Sequence, residues 1–124
     1  MAKTVLVVED CADTRGFMTY LVQSFGYKVL EAKDGFEAVA KAKQFRPNLI
    51  LMDLSMPKMN GFEATQIIRE FEDLRKMPIV AVTALNKDEW GKAIDAGCNE
   101  VVTKPVDFQK LKTAVNRHIG QSGH

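Results

Sequence analysis

The sequence is more informative at first for what it has little of. It carries no strong charge: 17 Lys and Arg against 16 Asp and Glu leave a formal net charge of +1. That balance offers no electrostatic case for nucleic acid or an anionic membrane as the main partner. Cysteine is scarce, with only Cys11 and Cys98 and no CxxC pair, so neither a disulfide framework nor a thiolate metal site is expected. No apolar run approaches the roughly 18 residues of a membrane span. No secretory leader is recognisable before the first strand-like segment, and internal repeats and low-complexity tracts are missing too. At 124 residues, with 46% apolar and 27% charged side chains, the chain reads as one cytoplasmic domain able to bury its own core.

The stretch around which the rest is organised is LILM followed by Asp53. Four consecutive apolar residues suggest a strand covered on both faces, as in a parallel sheet. Asp53 then falls at the strand's carboxyl end, where open α/β sheets place their ligand sites. Residues 4–8, TVLVV, form a similar run that ends in the adjacent carboxylates Glu9 and Asp10. Phe17, Met18, Leu21, Val22 and Phe25 fall on one face of a first helix, which Gly26 closes. Residues 28–32 are more mixed and are expected nearer an edge.

Three helix starts read as capping boxes, with an N-cap side chain and Glu three residues on: Asp34 with Glu37, Asn60 with Glu63, Asn86 with Glu89. The second helix should bury Ala38, Ala42 and Phe45 and stop near Arg46 before Pro47. The third should use Ile67, Ile68 and Phe71. A fourth strand, 78–82, ends at Thr83, and a fourth helix runs through Trp90 and Ile94 to Gly97. A fifth strand, 100–103, leads to Lys104 and Pro105, and Asp107 caps a last helix striped by Phe108, Leu111, Val115 and His118 or Ile119. The domain is expected to occupy residues 1–120, with 121–124 as a frayed tail.

Five strand–helix pairs in alternation predict an α/β fold with helices on both faces of a doubly wound, five-stranded parallel sheet of flavodoxin type, strand order 2-1-3-4-5. Strands 1 and 3 then flank the switch point and bring Glu9, Asp10 and Asp53 into one crevice. Strands 4 and 5 deliver Thr83 and Lys104 to the same edge. Converging carboxylates repel one another unless a cation sits among them. Oxygen ligands without His favour a hard cation, with Mg²⁺ the natural choice. A hydroxyl and an ammonium across from it can hold phosphoryl oxygens, and a carboxylate can itself accept a phosphoryl group.

VVED at 7–10, LMDLSMPKMNG at 51–61, VTA at 82–84 and TKP at 103–105 together resemble the signature segments of response-regulator receiver domains, CheY-like modules of two-component signalling. The resemblance spans essentially the whole chain. It implies that Asp53 is the phosphoacceptor, charged by a sensor histidine kinase, a histidine phosphotransfer protein or a small donor such as acetyl phosphate. It implies Mg²⁺ held directly by Asp10, Asp53 and the Ser55 carbonyl, with Glu9 acting through water. Thr83 and Lys104 would bind the phosphoryl group, and the Lys104–Pro105 bond would be cis. The output would be a switched surface of helix 4, strand 5 and helix 5, carrying Trp90, Lys92, Glu100, Lys110 and Lys112. Through it the chain would control protein–protein binding, as a monomer or a phosphorylation-dependent dimer, with no catalytic turnover, direct DNA contact or membrane insertion. Kinase specificity would lie on helix 1 and the loop after strand 5.

Two positions depart from the family pattern. Val101 stands where receivers usually carry a Tyr or Phe that swings inward on activation. Leu85, two after Thr83, offers no polar group to orient water, which suggests a long-lived phosphorylated state. A dehalogenase-type phosphatase would need an acid two residues after Asp53, where this chain has Ser55, and it would need a cap domain. A phosphorylation-independent interaction module would usually have lost one of the acids, the Thr or the Lys. Taken singly, Trp90 reads as a partly packed aromatic, His118 as a solvated residue or helix-end cation, and the two cysteines as inert thiols.

Overall fold

The computed structural model describes residues 2–56, 59–84 and 86–120, and for Asp88 the backbone alone. The expectations for Leu85 and for the tail at 121–124 therefore lie outside the described residues. The elements alternate throughout: β1 Thr4–Val8, α1 Ala12–Ser24, β2 Lys28–Ala32, α2 Gly35–Phe45, β3 Leu49–Met52, α3 Gly61–Glu70, a short 3₁₀ turn Glu72–Leu74, β4 Ile79–Thr83, α4 Lys87–Ala96, β5 Glu100–Thr103 and α5 Phe108–Ile119. The sheet is parallel in order β2-β1-β3-β4-β5, as the alternation predicts. The mixed composition of β2 fits its place at one edge, and β5 forms the other.

The apolar runs are continuous because each strand feeds two cores. Leu6, Val8, Ile50, Met52, Ile79 and Ala81 face a cluster that includes Ala38 and Ala42 of α2 and Ala64 and Ile68 of α3. Their neighbours Val5, Val7, Leu49, Leu51, Val80 and Val82 face a second cluster with Met18, Leu21 and Val22 of α1 and Leu111, Ala114 and Val115 of α5. Alternation of side chains along the strand makes this division. Each of the Val, Leu, Ile and Met side chains among them, buried from an exposed reference, contributes about 1.5–3 kcal/mol before chain entropy is set against it.

The N-caps fall at the positions that the capping pattern predicts. Asp34, Asn60, Asn86 and Asp107 each accept from the amide three residues on, at 2.8–3.2 Å. In α2 the return bond reaches one residue further back than a capping box requires, since Glu37 Oε1 accepts from the Lys33 amide at 3.1 Å. Gly26, at φ 100°, follows the end of α1 as expected, whereas α2 ends on the left-handed Arg46, at φ 45°.

Helical spacing alone misplaces several aromatics. Phe17, Phe45 and Phe108 are 52%, 50% and 42% exposed, and Phe36 is exposed as well. Helices α1 and α2 fill their core positions with Met18, Leu21, Val22, Ala38 and Ala42. A helix packed close to a sheet through alanines leaves no room for a ring beside them. Phe108 instead meets Phe25 edge to face, ring centres 5.3 Å apart. Ile94 of α4 is likewise half exposed, with Ala93 and Ala96 taking the inward positions.

Candidate functional site

The strand ladders determine what converges at the carboxyl edge of the sheet. Past the end of β1, the Glu9 amide donates to Ala32 O at 3.0 Å. Past β3, the Asp53 amide donates to Val8 O at 3.0 Å, and past β5 the Lys104 amide donates to Thr83 O at 2.9 Å. Each bond extends the parallel register by one residue, so the side chains that follow the strands emerge side by side. One carboxylate oxygen from each of Glu9, Asp10 and Asp53 lies within 4.8 Å of the others. Glu9 and Asp53 are buried, and Asp10 is exposed at the mouth.

Lys104 is the counter-charge. Its Nζ is 2.8 Å from Glu9 Oε1 and 3.5 Å from Asp53 Oδ2. Burial alone would lower the Lys104 pKa, but the hydrogen bond to Glu9 and the charges of Asp53 and Glu9 outweigh it, and the net direction is upward. The Asp10 carboxyl is pushed up, first by partial desolvation and then by the adjoining Glu9 carboxylate, which shares a hydrogen bond with it. One ammonium thus faces three carboxylates, which leaves the cluster short of positive charge.

The remaining bonds orient this cluster. Asp53 Oδ1 accepts from the Ser55 amide at 3.0 Å, and Glu9 Oε2 accepts from the Cys11 amide at 3.2 Å. Thr83 is fully buried, and its Oγ1 has no hydrogen-bond partner among the described residues. An unsatisfied buried hydroxyl costs about 1–3 kcal/mol, so one at the edge of an ionic pocket suits an acceptor brought by a ligand. The Lys104–Pro105 peptide is cis. The donor set fits a hard divalent cation: carboxylate oxygens and no imidazole. Cys11 is exposed, and its thiol is pulled down mainly by its hydrogen bond with the Thr14 side chain.

Several residues around the site carry no signal in the sequence. Arg15, one turn into α1, donates from Nη1 to Glu9 O at 2.8 Å and lies 3.7 Å from Glu31, so it braces the acidic loop from outside. Gly61 allows the loop after Asp53 to close on itself, because a Cβ there would sit 2.3 Å from Asp53 O. Arg69 of α3 spends its guanidinium on the carbonyls of Leu74, Met77 and Gly97 and on Asn99 Oδ1, tying α3 to the end of α4. An isolated Arg or Gly in a sequence does not announce such partners.

One expectation about the β5 flank changes. His118 is not solvated: it is 9% exposed, and its Nε2 is 2.7 Å from Glu100 Oε1, which also accepts from Arg117 Nη1 at 2.7 Å. Helix α5 turns His118 inward because Leu111, Ala114 and Val115 share its face. Val101 is half-buried, packed toward the α2–α3–α4 core, and a cavity of about 340 Å³ opens beside it, walled by Trp90, Lys110 and Arg117. No helix among the described residues is long and apolar enough to cross a membrane.

Comparisons with known proteins agree with this geometry. The family model of the response regulator receiver domain matches residues 5–116. The polar-differentiation response regulator DivK of Brucella anthropi is 30% identical over 123 residues, which are 98% of this chain and all of that one. Among solved structures, the receiver domain of a sensor histidine kinase from Pseudomonas aeruginosa, crystallised with magnesium coordinated in its active-site cleft, is 33% identical. It superposes with a TM-score of 0.90 over 97% of this chain and 99% of that one. The Vibrio cholerae chemotaxis protein CheY4 is 29% identical with a TM-score of 0.89, over 95% and 99% of the two chains. With its strand order and its sheet edge of carboxylates, hydroxyl and ammonium, the chain belongs to the response regulator receiver domain family.

Proposed function

We propose that this chain is the phosphoacceptor of a two-component relay and that Asp53 is the residue that is phosphorylated. The observation that carries the reading is the convergence of Glu9, Asp10 and Asp53 within 4.8 Å, with Lys104 Nζ bridging two of them. An Asp53 Oδ oxygen attacks the phosphorus of a phosphohistidine or of acetyl phosphate. The Oδ–P bond forms as the P–N or P–O bond breaks, and the leaving imidazole or acetate keeps the electron pair. Water later cleaves the acyl phosphate to restore Asp53 and release inorganic phosphate.

Asp10, Asp53 and the Ser55 carbonyl would hold Mg²⁺, with Glu9 acting through water. The ion when bound neutralises phosphoryl oxygens and so lowers the barrier to attack by an anion. The chain's own residues do the rest. The Ser55 amide orients Asp53 through Oδ1. Lys104 exchanges a carboxylate partner for a phosphoryl oxygen, and Thr83 Oγ1 gains the acceptor it lacks. The added charge then biases the surface of α4, β5 and α5 toward a second arrangement read by a protein partner. The donor is a sensor histidine kinase or a histidine phosphotransfer protein in the cytoplasm, and the chain turns over no substrate of its own. With Leu85 after the switch hydroxyl, the phosphorylated state is long-lived.

The test is intact mass after incubation with MgCl₂ and acetyl phosphate, for the native chain and for Asp53→Asn. One added phosphoryl group that requires Mg²⁺ and is lost in the variant supports the reading. If neither acetyl phosphate nor a histidine phosphotransfer donor leaves an adduct, the chain is a phosphorylation-independent binding module.

A further inference from the structure

Gly35 opens α2, and nothing in its own backbone explains a glycine there. Its φ is not in the left-handed region, and an Ala at a helix position is favoured over Gly by about 1 kcal/mol. The reason lies in another element. A Cβ on Gly35 would stand 2.1 Å from the carbonyl oxygen of Met59, 2.8 Å from its Cγ and 2.9 Å from its Cβ. The nearest obstacle is backbone, which cannot swing aside as a flexible side chain does. Met59 itself holds a left-handed φ of 33°, an uncommon state for a residue with a side chain. A strained residue of this kind persists where its surroundings over-determine it, and the first turn of α2 is that surrounding.

Met59 belongs to the segment that returns from Asp53 to α3. The start of that segment is fastened by the Ser55 amide on Asp53 Oδ1, and its end by the Gly61 amide on Leu54 O at 3.3 Å. Gly61 lies flush against the Asp53 carbonyl. Between these ties the Met59 carbonyl bears on Gly35, whose helix is anchored by Asp34 through the Glu37 amide and by Glu37 through the Lys33 amide. A shift of Met59 is therefore passed through neighbouring Gly61 to the Asp53 and Leu54 backbone it packs against, and from there to the Ser55 carbonyl next in the chain.

We propose that Gly35 is a positioning residue for the cation site: the bare first turn of α2 is the seat that sets the Asp53–Ser55 ligands in register with Asp10. The inference deepens the phosphoacceptor reading, but its measurement uses Mg²⁺ alone and no phosphodonor. Amide chemical shifts of the full chain, titrated with MgCl₂, give the dissociation constant for the native protein and for Gly35→Ala. The substitution is expected to weaken Mg²⁺ binding about tenfold, the size typical of a group that orients a metal ligand. Gly16→Ala, on an exposed turn of α1 with no heavy atom within 4 Å of its added Cβ, is expected to leave the constant unchanged.

Met59→Gly in the Gly35→Ala background removes two of the three close contacts and frees the loop to turn its carbonyl away. It is expected to recover part of the affinity. Met59→Gly alone, which relieves the left-handed strain, keeps the question answerable if Gly35→Ala does not fold. A released loop then weakens Mg²⁺ binding while thermal stability holds or rises. An unchanged Mg²⁺ constant in folded Gly35→Ala overturns the inference, as does an unchanged constant in Met59→Gly. If the native chain binds Mg²⁺ and the variants bind it more weakly, yet no donor phosphorylates Asp53, the positioning role stands and the phosphoacceptor reading falls.

Discussion

The carboxyl edge of the sheet and its β5 flank differ in what holds them. At the carboxyl edge, backbone bonds beyond the strand ends place Glu9, Asp53 and Lys104, and the side chains only complete an ionic cluster. At the β5 flank, the arrangement depends on side chains from separate elements: Glu100 of the edge strand held between Arg117 and His118 of α5, and a cavity beside Val101. Those backbone bonds form whatever side chains the bonded residues carry. Packing placed by side chains changes with each substitution, and here Val101 lines the cavity. On the proposed function, phosphorylation at the carboxyl edge and readout at the β5 flank are expected to be separable parts of one domain.

The sharpest way to test this separation is Lys104→Ala. It removes the ammonium shared by buried Glu9 and Asp53 and the donor for a phosphoryl oxygen, so phosphoryl uptake from acetyl phosphate, followed by intact mass, should fall by about 10²-fold or more. The β5 flank should be untouched, seen in unchanged amide shifts for Arg117 and His118. The same residue yields a pH prediction. Its folded pKa lies above the unfolded value, so its stabilising contribution is fully present below about 10.5 and is lost as pH rises through the folded pKa. Thermal melts between neutral and strongly alkaline pH should show the native chain losing stability in that range, with Lys104→Ala falling less.

Glu100→Ala is the converse experiment. It strands Arg117 and the mostly buried His118, and chemical denaturation should show a loss of about 1–3 kcal/mol. Phosphoryl uptake at Asp53 should stay within about twofold of native, a difference of less than about 0.5 kcal/mol in the barrier. A large loss of uptake would show that the two regions are not separable.

The smallest effect is expected at Asp10→Asn. The Asp10 carboxyl is raised in the folded chain, so its ionisation opposes folding above its folded pKa and the strain disappears as pH falls through that value. Without Mg²⁺ at neutral pH, the variant should melt slightly higher than the native chain, by a margin kept small because Asp10 is exposed and screened. Added MgCl₂ should raise the native melting temperature and not that of the variant. A lower melting temperature for Asp10→Asn without Mg²⁺ would mean that the cluster is not short of positive charge.

The features legible in the amino-acid sequence follow from local rules. Continuous apolar runs mark buried parallel strands, and four N-cap residues mark four of the helix starts. The strict alternation with short connections marks a doubly wound parallel sheet, and the flavodoxin-type order expected for five such units is the one observed. Glu9, Asp10, Asp53, Thr83 and Lys104 can be grouped because each follows or ends a strand, and parallel strands bring their carboxyl ends to one edge whatever the intervening helices contain. Phe17, Phe45 and Phe108 defy their helical pattern because spacing defines a face but not how closely that face approaches the sheet.

The rest was decided in three dimensions. Arg15 beneath Glu9, His118 against Glu100, Arg69 across three carbonyls and Gly35 under Met59 all join residues on different elements. Such contacts depend on the distance between packed elements to within an ångström, which no periodicity along one segment encodes. The sequence by itself determined where the strands run and the chemistry at their ends, because parallel backbone hydrogen bonding brings those ends to one edge. Only the tertiary structure decided which side chains brace that chemistry, because close packing assigns each a partner outside its own element.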